Sequence, residues 1–233
     1  EQQAAVECVS GPSIILAGAG SGKTRVLIHK VLNLIENKKV PAREVLMITF
    51  TNKAASEMKR RMGATQLGFV GTFHALCARM LRIDGDQIGI DPDSIGVDKN
   101  FVIYDESDQL MLIKGIIKKI HTNFSPKYFL NRISAAKGEL IQPESYLKIF
   151  MDYSAEVVGQ VYKEYQLKLR KNKALDFDDL LLIAHELLTH RPLLLQKYQR
   201  KYSHILVDEF QDTNTAQYQI AKLLAGKDQN ITV

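Results

Sequence analysis

The sequence has no tryptophan, only two cysteines in 233 residues, and just 14 glycines and 6 prolines. Two cysteines cannot build a disulfide framework. Cys8 and Cys77 also stand too far apart for a CxxC metal knuckle, so both are read as reduced core residues. Few glycines and prolines, with 45% apolar and 24% charged residues, exclude collagen-like, fibrous and disordered chains. No apolar run approaches the roughly 18 residues of a membrane span. The opening Glu1-Gln2-Gln3 lacks the charged-then-apolar profile of a secretory signal, so a cytoplasmic location without a membrane partner is expected. Charge is nearly balanced: 31 Lys and Arg against 26 Asp and Glu leave +5, which permits a polyanionic partner without identifying one.

What is present is a change of pattern along the chain. Ser13-Ile14-Ile15-Leu16-Ala17, Val45 to Phe50 and Ile205-Leu206-Val207 are short apolar runs of the kind buried on both faces of a parallel sheet, with Phe69 to Phe73 a weaker fourth. Between the first two, Val26, Leu27, Val31, Leu34 and Ile35 form a helical stripe over Lys23 to Glu36, and strand, helix, strand is the α/β signature. From about residue 85 the pattern turns helical. One stripe is Leu110, Ile113, Ile117 and Ile120 behind a cap at Asp105; another is Val158, Tyr162, Tyr165 and Leu169 behind Ser154. Gly85, Gly89, Pro92 and Gly96 break the chain before this region, and Asn172-Lys173 precedes its exit. The expected organisation is an α/β domain over 1–84 and 175–233, interrupted by a mainly helical insertion over 85–174.

Ala17-Gly18-Ala19-Gly20-Ser21-Gly22-Lys23-Thr24 joins a strand run to an amphipathic helix, the setting that a phosphate loop needs. Glycines let successive backbone amides face phosphate oxygens, the helix terminus adds its field, and Lys23 supplies a point charge for the β- and γ-phosphates. Thr24 offers a hydroxyl to Mg²⁺. Ala17 stands where a strict GxxxxGK[ST] pattern has glycine. The matching acidic site is Asp208-Glu209 at the end of a buried strand, at the sheet edge where open α/β folds bind ligands. Asp208 is expected to anchor Mg²⁺, and Glu209 to act as a general base on water.

These residues resemble the UvrD, Rep and PcrA DNA helicases of superfamily one. Ala-Gly-Ala-Gly-Ser-Gly-Lys-Thr is that family's usual phosphate loop; Thr49 to Met58, Gly71-Thr72-Phe73-His74 and Asp208 to Asn214 look like its later motifs, in order. The resemblance covers almost the whole chain. It implies a RecA-like P-loop NTPase sheet with helices on both faces, ATP and Mg²⁺ as cofactors, and ATP-driven 3′ to 5′ movement on DNA. It further implies that Gln2 reads adenine, that Arg25 and Arg61 lie near the nucleotide, and that Phe50, Thr51, Asn52, Thr72 and His74 line a single-stranded DNA path. An aromatic for stacking and small polar groups for phosphates suit that role.

The resemblance also implies that the chain begins inside the adenine motif, stops before the family's next motif, and needs a second motor domain in cis to supply arginines. An arginine given to a developing phosphoryl charge is worth about 10³ to 10⁵ in rate. The isolated chain is therefore expected to bind nucleotide weakly, hydrolyse it negligibly and not unwind single/double-strand junctions. Alternatives are the helicase subunit of a recombination helicase-nuclease, or a nucleotide- or DNA-binding module without turnover. Asp176, Asp178 and Asp179 are read as the cap and first turn of a helix rather than a metal site. Lys168, Arg170, Lys171 and Lys173 are read as cations solvated near a helix terminus, with a duplex-phosphate patch as the other reading.

Overall fold

The computed structural model describes residues 2–18, 20–88, 97–120, 122–151 and 153–233; the chain breaks at Gly89, Pro92 and Gly96 and the loop residue Ala19 lie outside them. In chain order the elements are α1 (Gln2–Glu7), α2 (Lys23–Glu36), β1 (Val45–Thr49), α3 (Asn52–Met62), β2 (Phe69–Thr72), α4 (Phe73–Asp84), β3 (Val102–Tyr104), α5 (Glu106–Ile117) and α6 (Pro126–Gly138). There follow α7 (Pro143–Ile149), α8 (Tyr153–Lys171), β4 (Ala174–Asp176), α9 (Phe177–His190), α10 (Pro192–Lys201), β5 (His204–Val207), α11 (Thr215–Ala225) and β6 (Ile231–Thr232). Two compact units result. One is Glu1–Leu76, Leu188–Thr213 and Tyr218–Val233; the other is Cys77–Leu187 with Asn214–Gln217.

The first unit holds a parallel sheet in the order β2-β1-β5-β6. Side chains alternate across a strand, so Val45 and Met47 face one side, where they meet Leu27, Val31 and Leu34 of α2 and Met58 and Met62 of α3. Leu46 and Ile48 face the other side and are just as completely buried, so β1 is covered on both faces. Each such side chain contributes about 1.5–3 kcal/mol on burial. In this way the apolar run at 45–49 becomes the strand that fixes the position of its neighbours.

Two readings of the sequence are corrected here. Ser13–Ala17 is not a doubly buried strand: it runs beside β6 as a single bridge, Ser13 to Thr232, with Ile15 N–H donating to the Val233 carbonyl at 2.7 Å. Only alternate residues turn inward at this flank of the sheet, so Ile15 packs on the core while Ile14 is 71% and Leu16 91% exposed. Cys8 is exposed rather than in the core, because it follows the short helix α1, which has no buried residue. Cys77 is buried, and burial pushes its thiol up to about 12.

The second unit is helical around Ile113, Ile116, Phe129, Ile133, Tyr146, Val158, Tyr162, Tyr165 and Leu169. Asp105 caps α5 in a reciprocal box: its carboxylate accepts from Asp108 N–H at 2.9 Å, and Asp108 accepts from Asp105 N–H at 3.2 Å. Helix α8 begins at Tyr153, so Ser154 lies inside its first turn and is not its cap. The helical pattern also conceals a two-stranded parallel sheet, β3 on β4, of three residues each.

At the start of α9 the acidic residues do more than cap. Asp176 and Asp179 accept each other's backbone N–H, and both bind the wholly buried Lys137, at 2.6 Å and 2.8 Å. Tyr165 Oη donates to Asp176 at 2.9 Å, and Gln166 donates to Asp179 at 3.0 Å. Burial pulls the Lys137 amine down, but the two carboxylates outweigh it and hold it above its ordinary value. Burial and the Asp176 charge push Asp179 up to about 6. Among the described residues there is no metal-binding group of His, Cys, Asp and Glu, and no helix long and apolar enough to cross a membrane.

Candidate functional site

All strands of the larger sheet run one way, so their carboxyl ends share an edge. Asp208 N–H donates to the Ile48 carbonyl at 2.9 Å, which extends the β1–β5 pairing by one residue and holds Asp208 at that edge. Glu209 then takes a left-handed conformation, φ 51° and ψ 40°, unusual for a residue with a side chain, and turns the chain into a short 3₁₀ segment, Phe210–Asp212.

The loop before α2 meets the same edge. Gly22, the residue capping α2, has φ 90°, and Gly20 has φ 75°, backbone that a side chain would strain. Ser21 Oγ donates to the Gly18 carbonyl at 2.6 Å and closes the loop on itself. Helix α2 has no acidic residue of its own in its first turn. Gln2 Nε2 donates to the Ser21 carbonyl at 3.0 Å and ties α1 to the loop.

Loop and edge converge. Lys23 Nζ lies 3.3 Å from Glu209 Oε2, and Thr24 Oγ1 donates to Asp208 Oδ2 at 3.3 Å. Both pairs line a cleft of about 630 Å³ with Gly18, Gly20, Gly22, Arg25 and Arg61. Burial and the adjacent Glu209 charge raise the Asp208 carboxyl above the ordinary aspartate range, against the Thr24 hydrogen bond and the Lys23 charge. Hydrogen bonds from Gln211 and Lys23 hold Glu209 below the ordinary glutamate range. Ala17 and Ser21 border an adjoining cleft of about 360 Å³ with Gln2 and Lys23. Ala19 lies outside the described residues.

The five residues singled out for a nucleic-acid path also lie together at this edge. Thr49 pairs with Thr72, which sets Phe50 and Thr51 beside Phe73 and His74. Phe50 is half-buried, its ring edge-on to Phe73 with centroids 6.2 Å apart. Thr51 caps α3 by accepting from Ala54 N–H at 3.1 Å, Asn52 is exposed in the first turn, and Thr72 accepts from Ala75 N–H at 3.2 Å. Burial holds the His74 imidazole below its ordinary pKa.

Two cleft residues carry no sequence-based role. Glu57 accepts from Arg61 Nε at 2.6 Å and from Arg60 at 2.7 Å and 2.9 Å, and these bonds, Arg60 first, lower its carboxyl to about 2. Arg61 therefore reaches the cleft already paired. Gln211 Nε2 donates to Glu209 Oε2 at 2.6 Å. Glu57 lay inside the string Thr49 to Met58, but the signal for its pairing was its i,i+3 and i,i+4 spacing from Arg60 and Arg61.

A parallel α/β sheet whose phosphate loop faces an acidic strand end defines a P-loop class of nucleotide site. The chain belongs to the UvrD/REP helicase N-terminal domain family, whose model matches residues 1–233. It is similar to the ATP-dependent DNA helicase PcrA of Bacillus subtilis, at 47% identity over 241 aligned residues that take in 100% of this chain and 32% of that protein. The ATP-dependent DNA helicases PcrA of Staphylococcus epidermidis and Staphylococcus aureus match at 45% and 44%, again over 100% of the chain and 32% of their own length. The chain thus spans about a third of the length of these curated relatives, 32% in each case.

Proposed function

We propose that this chain is the ATP-binding part of an ATP-dependent DNA helicase that moves 3′ to 5′ along single-stranded DNA. The observation that carries the reading is the convergence of Lys23 with Glu209 and of Thr24 with Asp208, 3.3 Å in each case, on one cleft at the carboxyl edge of a parallel sheet. The names of the relatives, ATP-dependent DNA helicases, support the substrate and the partner.

In this reading Gln2 and Arg25 hold the base and sugar side of ATP, and Ala17 to Gly22 cradle the phosphates with backbone amides. Lys23 neutralises the β- and γ-phosphates, and Arg61 approaches the same group. The Thr24 hydroxyl and Asp208 carboxylate form an oxygen donor set suited to Mg²⁺. When bound, that ion offsets charge developing on the phosphate oxygens. Glu209 accepts the proton of the attacking water. Phe50, Thr51, Asn52, Thr72 and His74 face single-stranded DNA beside a junction, residues 85–174 form an inserted subdomain, and a second motor domain in cis supplies the arginines that complete turnover.

The test is binding of a fluorescent ATP analogue with and without Mg²⁺, for wild type and Lys23→Ala, alongside ATP hydrolysis by the full-length protein with and without single-stranded DNA. Mg²⁺-dependent binding lost in Lys23→Ala, with hydrolysis stimulated by DNA, is expected. Equal binding by both proteins would reduce the loop to a structural relic, and hydrolysis indifferent to DNA would point to a nucleotide switch.

A further inference from the structure

Glu209 has two donors on one oxygen and none on the other. Gln211 Nε2 lies 2.6 Å and Lys23 Nζ 3.3 Å from Oε2, while Oε1 has no hydrogen-bond partner among the described residues. The two donors differ in kind. Lys23 is a charge on a flexible stem at the mouth of the phosphate loop, whereas Gln211 is a neutral amide on the 3₁₀ turn that Glu209 itself initiates. The orientation of that amide is set by its acceptors. Its nitrogen also lies 3.4 Å from Asp212 Oδ2, so both neighbours are carboxylates that only an NH₂ group can satisfy.

A triphosphate entering the cleft competes with Glu209 for Lys23, because its oxygens carry more negative charge than one carboxylate. It exerts no comparable pull on a neutral amide. We propose that Gln211 is a positioning residue for ATP hydrolysis: it pins Glu209 Oε2 so that Oε1 is presented to water, and it retains the carboxylate once Lys23 has moved to phosphate. In that step the water oxygen bonds to the γ-phosphorus and the bond from phosphorus to the bridging oxygen breaks. The electron pair of that bond leaves with ADP, and the water proton passes to Oε1. A neutral donor suits the task, since a second fixed cation would weaken the carboxylate as a base.

The inference rests on the ATP reading above, and the experiment separates the two. Gln211 is exposed, so Gln211→Met, of similar length and without a donor, leaves the fold intact. In DNA-stimulated hydrolysis by the full-length protein, Gln211→Met is expected to lower kcat about tenfold or more while KM for ATP stays within about twofold. At a fixed neutral pH, the carboxyl carbon NMR signal of Glu209 in the 233-residue chain, assigned with Glu209→Gln, is expected to shift in Gln211→Met without any nucleotide, because the Gln211 donor at 2.6 Å is gone. An unchanged kcat and an unmoved Glu209 carboxyl signal in Gln211→Met, in a protein whose binding still depends on Lys23, overturn the role of Gln211 alone. Loss of Lys23-dependent binding in wild type overturns the ATP reading itself.

Discussion

Thr24 and Asp208 stand 184 positions apart in the chain, yet the Thr24 hydroxyl donates to the Asp208 carboxylate at 3.3 Å. The contact follows from the sheet: β5 pairs in parallel with β1, the Asp208 amide continues that pairing onto Ile48, and α2 starts from Gly22 directly opposite. Burial and the neighbouring Glu209 charge make the Asp208 carboxylate costly for the fold, and the Thr24 hydroxyl offsets only part of that cost, which makes the pair a sensitive place to test the proposed function.

Asp208 is therefore expected to trade stability for ligand binding. Its folded-state pKa is raised, so the folded chain holds the proton more tightly than the unfolded one. Stability from this group is present at low pH and lost as pH rises through the window above 3.8. Asp208→Asn should be at least as stable as wild type at neutral pH in urea denaturation, yet lose Mg²⁺-dependent nucleotide binding. In wild type that binding should fade on acidification at a higher pH than an ordinary aspartate would give. Unaltered Mg²⁺ dependence in Asp208→Asn would remove the residue from the site.

The Glu57 pair behaves with the opposite sign. Its folded pKa is lowered to about 2 by Arg60 and Arg61, so the stabilisation is present above 4.5 and is lost as pH falls towards 2. Thermal melts of wild type and Glu57→Gln should differ most at neutral pH and converge in acid. Because Arg61 is then unpaired in the cleft, Glu57→Gln should also change nucleotide affinity, which a binding titration reads directly.

Lys137 is the test of the second unit. Lys137→Met leaves Asp176 and Asp179 facing each other without a cation, and removing one partner of a buried pair costs about 3–5 kcal/mol. Protonation relieves that repulsion, so the loss measured by urea denaturation should be smaller at about pH 5 than at about pH 8. An equal loss at both would mean that the cost is packing around Tyr162 and Tyr165, against which Lys137 also lies.

Phe50→Ala should weaken single-stranded oligonucleotide binding by about 1–3 kcal/mol if the ring stacks a base. It should also cost some stability through the lost edge contact with Phe73. A stability loss with unchanged oligonucleotide affinity would assign the ring to the fold.

Strong local signals were legible in the sequence. The helix over Lys23 to Glu36, the strands at 45–49 and 204–207, and the Asp105 cap all follow from periodicity and capping chemistry acting within a few residues. The glycine turn before α2 and the acidic end of β5 were legible because each carries its own backbone demands. What escaped depends on partners far along the chain. Ile14 and Leu16 read as a core strand because their apolar character says nothing about which flank of a sheet they will occupy. Asp176 and Asp179 cap α9 as read, but their ion pairs with Lys137 escaped because that cation sits 39 positions before Asp176. The β3–β4 pair escaped because three-residue strands give no period to detect. Gln211 stood inside a motif and still had no role until its amide was located on Glu209.

The pairing of β1 with β5 constrains how such a chain comes to be built. When residues 45–49 leave a ribosome, the strand that completes their hydrogen bonding has not been synthesised, and earlier collapse of the intervening stretch shortens the loop that β5 must close. The helical segment rich in near-neighbour contacts is suited to that early role. Nascent β1 meanwhile exposes an unpaired edge on a strand that is apolar from Val45 to Ile48, the sort of segment on which chaperones act and from which aggregates start.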